Sequence, residues 1–247
     1  MTLIPMHDGF DPNTLLALWE HGLGQVGSAR GDALLQASPE GALRAPTLGE
    51  RNVRLIDLHL RMFGRELDLL SHCPACGTVA QFSADCKALA AQIPVIRAAP
   101  SHRLEAQGHL IEFRMPDSAD LAAALGEEAP EDFTQYLLDR CVLACTHDGT
   151  SVSVRTLPVA VLDALSQRME TLDPGASVSF TLECPRCGTR WDAPLDVGQM
   201  VWQKVQAAAE RLLLEIDALA RAYGWTESEV LRLNPLRRAA YLQMVAS

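Results

Sequence analysis

The sequence predicts an α+β protein, mainly α, in which helices surround a small antiparallel β ribbon assembled from two distant CPxC knuckles. Three observations predict it. The hexapeptides CPACGT (73–78) and CPRCGT (184–189) are near copies, with 107 residues between the two Cys pairs. Over most of the remaining chain, apolar residues recur every three or four positions, the period of a helix buried on one face. SVSFTLE runs into the second knuckle with Val178, Phe180 and Leu182 on one side, the alternation of a strand.

Residues 1–71 read as an N-terminal helical region. Asp11 before Pro12 suits an N-cap and first helical position, and Leu15, Leu18 and Trp19 follow at helical spacing until Gly22 and Gly24. Thr47 and Glu50 form a candidate capping box for a helix carrying Leu48, Arg51, Leu55, Leu58, Met62 and Phe63. The stretch 72–116 reads as the first half of the ribbon, with TVAQFSADC and HLIEFRMP as short β-like segments and AQIPVIRAAPSHRLEAQG as the loop between them.

An inserted helical region follows over 117–176. DSADLAAAL, EDFTQYLLDRCVLAC and LPVAVLDALSQRMETL have helical spacing, and the DPG at 173–175 breaks the pattern. The second half of the ribbon occupies 177–197, where TRWDAPLDV returns as a strand. From 198 to 247 the chain is helical again: Val201, Val205, Ala209, Leu212, Ile216, Leu219 and Tyr223 make one stripe that Gly224 ends. Thr226 and Glu229 form another capping box, and Asn234 with Pro235 opens a last helix.

With 48% apolar residues in 247, the chain can bury a sizeable core. No apolar run approaches the roughly 18 residues of a membrane helix, and MTLIPMHDGF lacks the basic and apolar regions of a signal peptide, so a soluble, cytoplasmic protein is expected. A formal charge of −10 repels phosphate backbones, which disfavours nucleic acid as a partner, and no membrane partner is expected. Seven cysteines, an odd number, do not suit a disulfide framework in a reducing compartment. Metal ligation and burial remain.

A CxxC turn lets two thiolates converge on one ion, and Gly77 and Gly188 fit the tight turn after each pair. Two matching knuckles supply four thiolates, so Cys73, Cys76, Cys184 and Cys187 read as ligands of one structural zinc ion in a zinc ribbon. A closed shell of four cysteines leaves no position for a catalytic water. Two unrelated turns with reduced thiols are the plain alternative, and a thioredoxin-type redox pair would sit at a helix start after a strand. His72 and Cys86 are competing ligands by proximity. Cys141 and Cys145, four apart on a predicted helix, read as buried small residues.

No GxSxG, HExxH or Walker loop is present, and GLGQVG (22–27), which has the GxGxxG spacing, lacks the preceding strand that a dinucleotide site requires. His59, on a helix among charged residues, reads as solvated or capping rather than as a general base. Glu127 with Glu128 and Glu131 with Asp132 favour a helix dipole. No nucleophile, base and orienter assemble, so a non-enzymatic protein is expected. Trp225, Arg237, Arg238 and Tyr241 on short terminal helices suit a partner-recognition surface, or else pack those helices onto the long one.

GERNVRLIDLHLRMFG, CPACG, CPRCG, ERLLLEIDALARAYGW and TESEVLRLNPLRRAAYLQMV together resemble the T4-type phage baseplate hub assembly chaperone family, in the branch found in contractile injection systems. The resemblance spans most of the chain, and its most specific part is the carboxy-terminal pattern. It implies a non-enzymatic assembly chaperone or adaptor whose partners are baseplate hub or spike proteins of a contractile tail. A permanent baseplate subunit is the structural alternative. A zinc-ribbon nucleic-acid binder would have to rely on Lys87, Arg97, Arg186 and Arg190 near the knuckles.

Overall fold

The computed structural model describes residues 11–38, 47–94, 99–124 and 132–245. The chain begins with α1 (Pro12–Leu23), α2 (Ala29–Ala37), α3 (Leu48–Phe63), the hairpin β1 (Glu66–His72) and β2 (Val79–Asp85), and α4 (Cys86–Gln92). It continues through β3 (His102–Ala106), β4 (His109–Phe113), α5 (Ser118–Ala124), α6 (Phe133–Cys141), β5 (Val142–His147), β6 (Thr150–Ser151) and α7 (Val159–Leu172). A second hairpin, β7 (Ser179–Glu183) and β8 (Arg190–Pro194), leads into α8 (Val197–Tyr223), α9 (Glu227–Leu231) and α10 (Pro235–Val245).

The helix ends follow from local chemistry. Asp11 caps α1 by accepting from the backbone N–H groups of Asn13 and Thr14, and Thr47 caps α3 by accepting from Glu50 N at 3.2 Å. Gly224 closes α8 in the left-handed conformation at φ 70°, a place that glycine occupies without strain. Thr226 and Glu229 make the reciprocal capping box of α9. Asn234 Oδ1 then accepts from Arg237 N at 2.8 Å where α10 starts.

Two apolar cores result. The larger packs Leu15, Leu18, Leu34, Leu55, Ile56, Leu58 and Met62 of the first three helices against Trp202, Val205, Ala209, Leu212, Ile216 and Leu219 of α8. Each fully buried Leu, Ile, Val or Met side chain among these contributes about 1.5–3 kcal/mol. Arg51, on the buried stripe of α3, is only 3% exposed; its guanidinium bonds Asp32 Oδ1 at 2.8 Å and Ser28 O at 2.7 Å. Gly31 and Gly198 leave the room it fills. The charge survives burial because it is paired.

The smaller core lies under an antiparallel sheet of order β3-β4-β5-β6, with Ile111, Phe113 and Cys145 facing Leu138, Val161 and Leu165. Two tight turns, Gln107-Gly108 and Asp148-Gly149, have positive φ at both central residues, the turn type that matches strand twist. The two cores are linked where Asp173 Oδ2 accepts from Gly49 N at 2.9 Å and Asn52 Nδ2 donates to Gly175 O at 2.9 Å.

Several expectations change. The stretch 72–116 does not act as one half of a ribbon: β3 and β4 belong to the sheet with β5 and β6, and β3 falls where a loop was expected. The ribbon's first hairpin begins earlier, with Glu66–His72 inside the region read as helical. EDFTQYLLDRCVLAC is helical only to Cys141, because Val142–His147 finds a ladder partner in β4. Cys141 and Cys145 therefore share no helical face, although both are buried. His59 is fully buried rather than solvated, since α3 is covered on more than one side. Glu127, Glu128, Glu131 and Arg97 lie outside the described residues. Among the described residues, no helix is long and apolar enough to cross a membrane.

Candidate metal centre

Each knuckle is the tip of a hairpin, and the two tips repeat one backbone pattern. In the first, Cys73 N donates to Thr78 O and Gly77 N donates to Cys73 O, both at 2.9 Å. In the second, Cys184 N donates to Thr189 O and Gly188 N to Cys184 O, again both at 2.9 Å. Gly77 and Gly188 sit at φ 69° and 71°, a conformation that side chains resist. The shared Cys, Gly and Thr of the hexapeptides thus code for one turn, built twice.

The two hairpins are separate two-stranded sheets with no ladder between them. What joins them is side-chain contact. Phe82 and Phe180 meet edge to face with ring centroids 5.3 Å apart, and Trp191 Nε1 donates to Ser71 Oγ at 3.3 Å. Their roots reach the larger core through Leu67 and Val178, and Leu195 N donates to Val178 O at 2.8 Å just before α8 begins. The tips are therefore held at a fixed place on the helical body.

At those tips the sulfurs of Cys73, Cys76, Cys184 and Cys187 all lie within 4.8 Å of one another. Cys73 Sγ is 3.7 Å from Cys187 Sγ, and Cys76 Sγ is 3.6 Å from Cys184 Sγ. A tetrahedral ion with metal–sulfur bonds of about 2.3 Å needs sulfurs about 3.8 Å apart. The donor set fits one tetrahedral ion, and the four cysteines could hold it. Among the described residues this is the single group of its kind, and His72 and Cys86 are not part of it. Cys86 is buried, with Sγ 3.5 Å from His59 Nδ1.

The first cysteine of each pair is buried, Cys73 and Cys184 each being 2% exposed, whereas Cys76 is half-buried and Cys187 exposed. Burial pushes the Cys73 thiol up to about 11, against the N–H groups of Cys76 and Ala75 that point at its sulfur. The second cysteine is treated differently. The Thr189 hydroxyl, 3.3 Å from Cys187 Sγ, pulls that thiol down to about 6 by hydrogen bonding to its thiolate form. The Thr78 hydroxyl, 3.2 Å from Cys76 Sγ, lowers Cys76 in the same way.

These two threonines are supporting residues that ligand spacing alone does not find. Their signal is present in the sequence, since Thr closes both hexapeptides. Their role depends on a turn that brings residue i+2 back to the sulfur.

No family model, curated protein or solved structure matches the chain.

The carboxy-terminal candidates divide. Trp225 and Tyr241 are partly buried against the larger core and form an aromatic cluster with Tyr223, at centroid distances of 4.7 Å (Tyr223 to Trp225) and 4.9 Å (Trp225 to Tyr241). Arg238 is 7% exposed and donates to Glu215 Oε2 of α8 at 2.9 Å, so it ties α10 to the body and is not a surface residue. Arg237 is exposed. Beside it, Leu236 and Met244 of α10 are 83% and 64% exposed.

Proposed function

We propose that this protein is a non-enzymatic assembly chaperone or adaptor for the baseplate hub of a phage-like contractile tail, working through protein contacts on a body stapled by structural zinc. The observation that carries the non-enzymatic part is the closed set of four sulfurs at the hairpin tips. Four cysteines suit zinc in its structural role, and they leave no position for water or substrate. An ion there fastens segments on either side of an intervening stretch of 107 residues. Structural zinc sites of small fingers bind with apparent energies of about 10–16 kcal/mol, ample to hold two hairpins that share no backbone ladder.

The hub assignment rests on the sequence resemblance, above all on the pattern of long helix, YGW, capped short helix and Arg-containing last helix. The outward face of α10 supports it, since Leu236 and Met244 are apolar anchors beside exposed Arg237 on a helix fixed from behind by Arg238. A nucleic-acid role is less favoured: Arg190 near the second knuckle is already paired with Glu183 at 2.8 Å.

Co-purification with neighbouring tail proteins tests the reading. A stable complex with a hub or spike protein is expected, and absence of binding to every one of them would sink it. Mass spectrometry of finished particles separates a chaperone, missing or substoichiometric, from a permanent subunit. Metal analysis of purified protein should return one zinc per chain.

A further inference from the structure

The cysteines of the centre pair across the knuckles in an unequal way. Exposed Cys187 has buried Cys73 of the other knuckle at 3.7 Å, and half-buried Cys76 has buried Cys184 of the other knuckle at 3.6 Å. Each close pair therefore joins a sulfur that solvent reaches to one that it does not, and each joins the two hairpins. The other three cysteines are unlike these: Cys86 and Cys141 are fully buried and Cys145 is 4% exposed.

We propose that the four-cysteine centre is a peroxide-responsive modification site, in which Cys187 and Cys76 are oxidised and the opposite-knuckle Cys73 and Cys184 resolve them into two disulfides. Access selects the sulfur attacked, and the contacts across the knuckles at 3.7 and 3.6 Å supply each with a buried partner. The Cys187 thiolate attacks one oxygen of hydrogen peroxide; the O–O bond breaks, hydroxide leaves and is protonated to water, and the sulfur becomes a sulfenic acid. Cys73 Sγ then attacks Cys187 Sγ, the S–S bond forms, the S–O bond breaks and a second water leaves. Two thiolates, one peroxide and two protons give one disulfide and two waters. The Cys76 and Cys184 pair repeats the sequence with a second peroxide.

An ion held by the four thiolates would lose them and be released as a divalent cation. The hairpins stay tied, because both new bonds cross between them. Oxidation thus exchanges a metal staple for a covalent one. This goes beyond the assembly role and depends only on the sulfur geometry.

The test is a titration of the purified, metal-loaded full chain with hydrogen peroxide. Metal release is followed with a chromophoric chelator and disulfides are mapped by mass spectrometry of non-reduced peptides. The expected result is Cys73–Cys187 and Cys76–Cys184 bridges, loss of the metal at about two equivalents of peroxide, and full reversal by dithiothreitol with added metal. Cys86, Cys141 and Cys145 should stay reduced. Bridges within a knuckle, a terminal sulfinic acid without a bridge, or four unmodified thiols in excess peroxide would each overturn the proposal. The same map on chelator-treated protein reads the pairing without metal, so failure of the metal assignment is told apart from failure of this one.

Discussion

Thr189 Oγ1 stands 3.3 Å from Cys187 Sγ, and the same relationship recurs at 3.2 Å between Thr78 and Cys76. Hydroxyls placed two residues beyond a ligand orient it and stabilise its thiolate, and losing such outer partners typically costs 10–100-fold in metal affinity. Thr189→Val keeps the shape and removes the donor. We expect metal affinity to fall by about 10-fold or more with helical content unchanged, measured by competition with a chelator of known affinity. Unaltered affinity in both Thr189→Val and Thr78→Val would show that the hydroxyls do not act on the ligands.

Removing one ligand tests whether the centre is a staple. Cys184→Ser should lose the metal and loosen the contacts around Cys73, because the tips are then held together only by weaker side-chain contacts such as Phe82 against Phe180 and Trp191 on Ser71. Metal content and hydrogen exchange of residues 66–85 report on this together. A variant that remains metal-loaded, or protects those amides as well as the parent does, contradicts the stapling role.

His59 supplies a pH prediction. Burial, reinforced by the positive charge of Lys204, pushes its pKa down from 6.5 to about 4. The unfolded chain then binds a proton that the folded chain refuses, so stability is complete above about pH 6.5 and declines as pH falls toward 4. The full loss is about 3 kcal/mol. Acid also protonates thiolates and releases metal, so the difference between the parent and His59→Leu isolates this group. Denaturant midpoints from pH 4 to 7 should show a shallower slope in the variant; parallel curves would remove His59 as the cause.

Asp173 accepts from Gly49 N in a buried setting where helix α3 begins. Asp173→Ala leaves that N–H without its acceptor, which costs about 1–3 kcal/mol, while Asp173→Asn keeps an oxygen in place and should cost less. Thermal unfolding ranks the three proteins. Equal melting temperatures for Ala and Asn would mean that side-chain packing outweighs this hydrogen bond.

The two neighbouring arginines of α10 should behave oppositely. Arg238→Ala removes the buried guanidinium from Glu215 Oε2, with Arg211 still on Oε1 at 3.2 Å, and is expected to cost about 1–3 kcal/mol. Arg237→Ala lies on the surface and should change stability by no more than about 0.5 kcal/mol. If the outward face of α10 contacts a hub protein, Arg237→Ala weakens that complex while its melting temperature holds. A pull-down beside calorimetry on both variants separates the two roles.

The sequence by itself determined the features whose cause is local. A cap needs a residue and an N–H three positions on, as at Thr226 and Glu229; a knuckle turn needs Cys, Gly and Thr within six residues; the apolar stripe of α8 needs only its own period. The four clustered cysteines were legible because the turn was written twice. Only the tertiary structure decided what depends on a distant partner. Val142–His147 is a strand because β4 lies beside it, His59 is buried because other elements cover α3, and Arg238 is buried because Glu215 waits on α8. The pairing of Cys187 with Cys73, and of Cys76 with Cys184, belongs to the same class. Spacing along a chain names the sulfurs that converge, but which sulfur meets which is set by how two hairpins pack, and packing is a property of surfaces brought together from far apart.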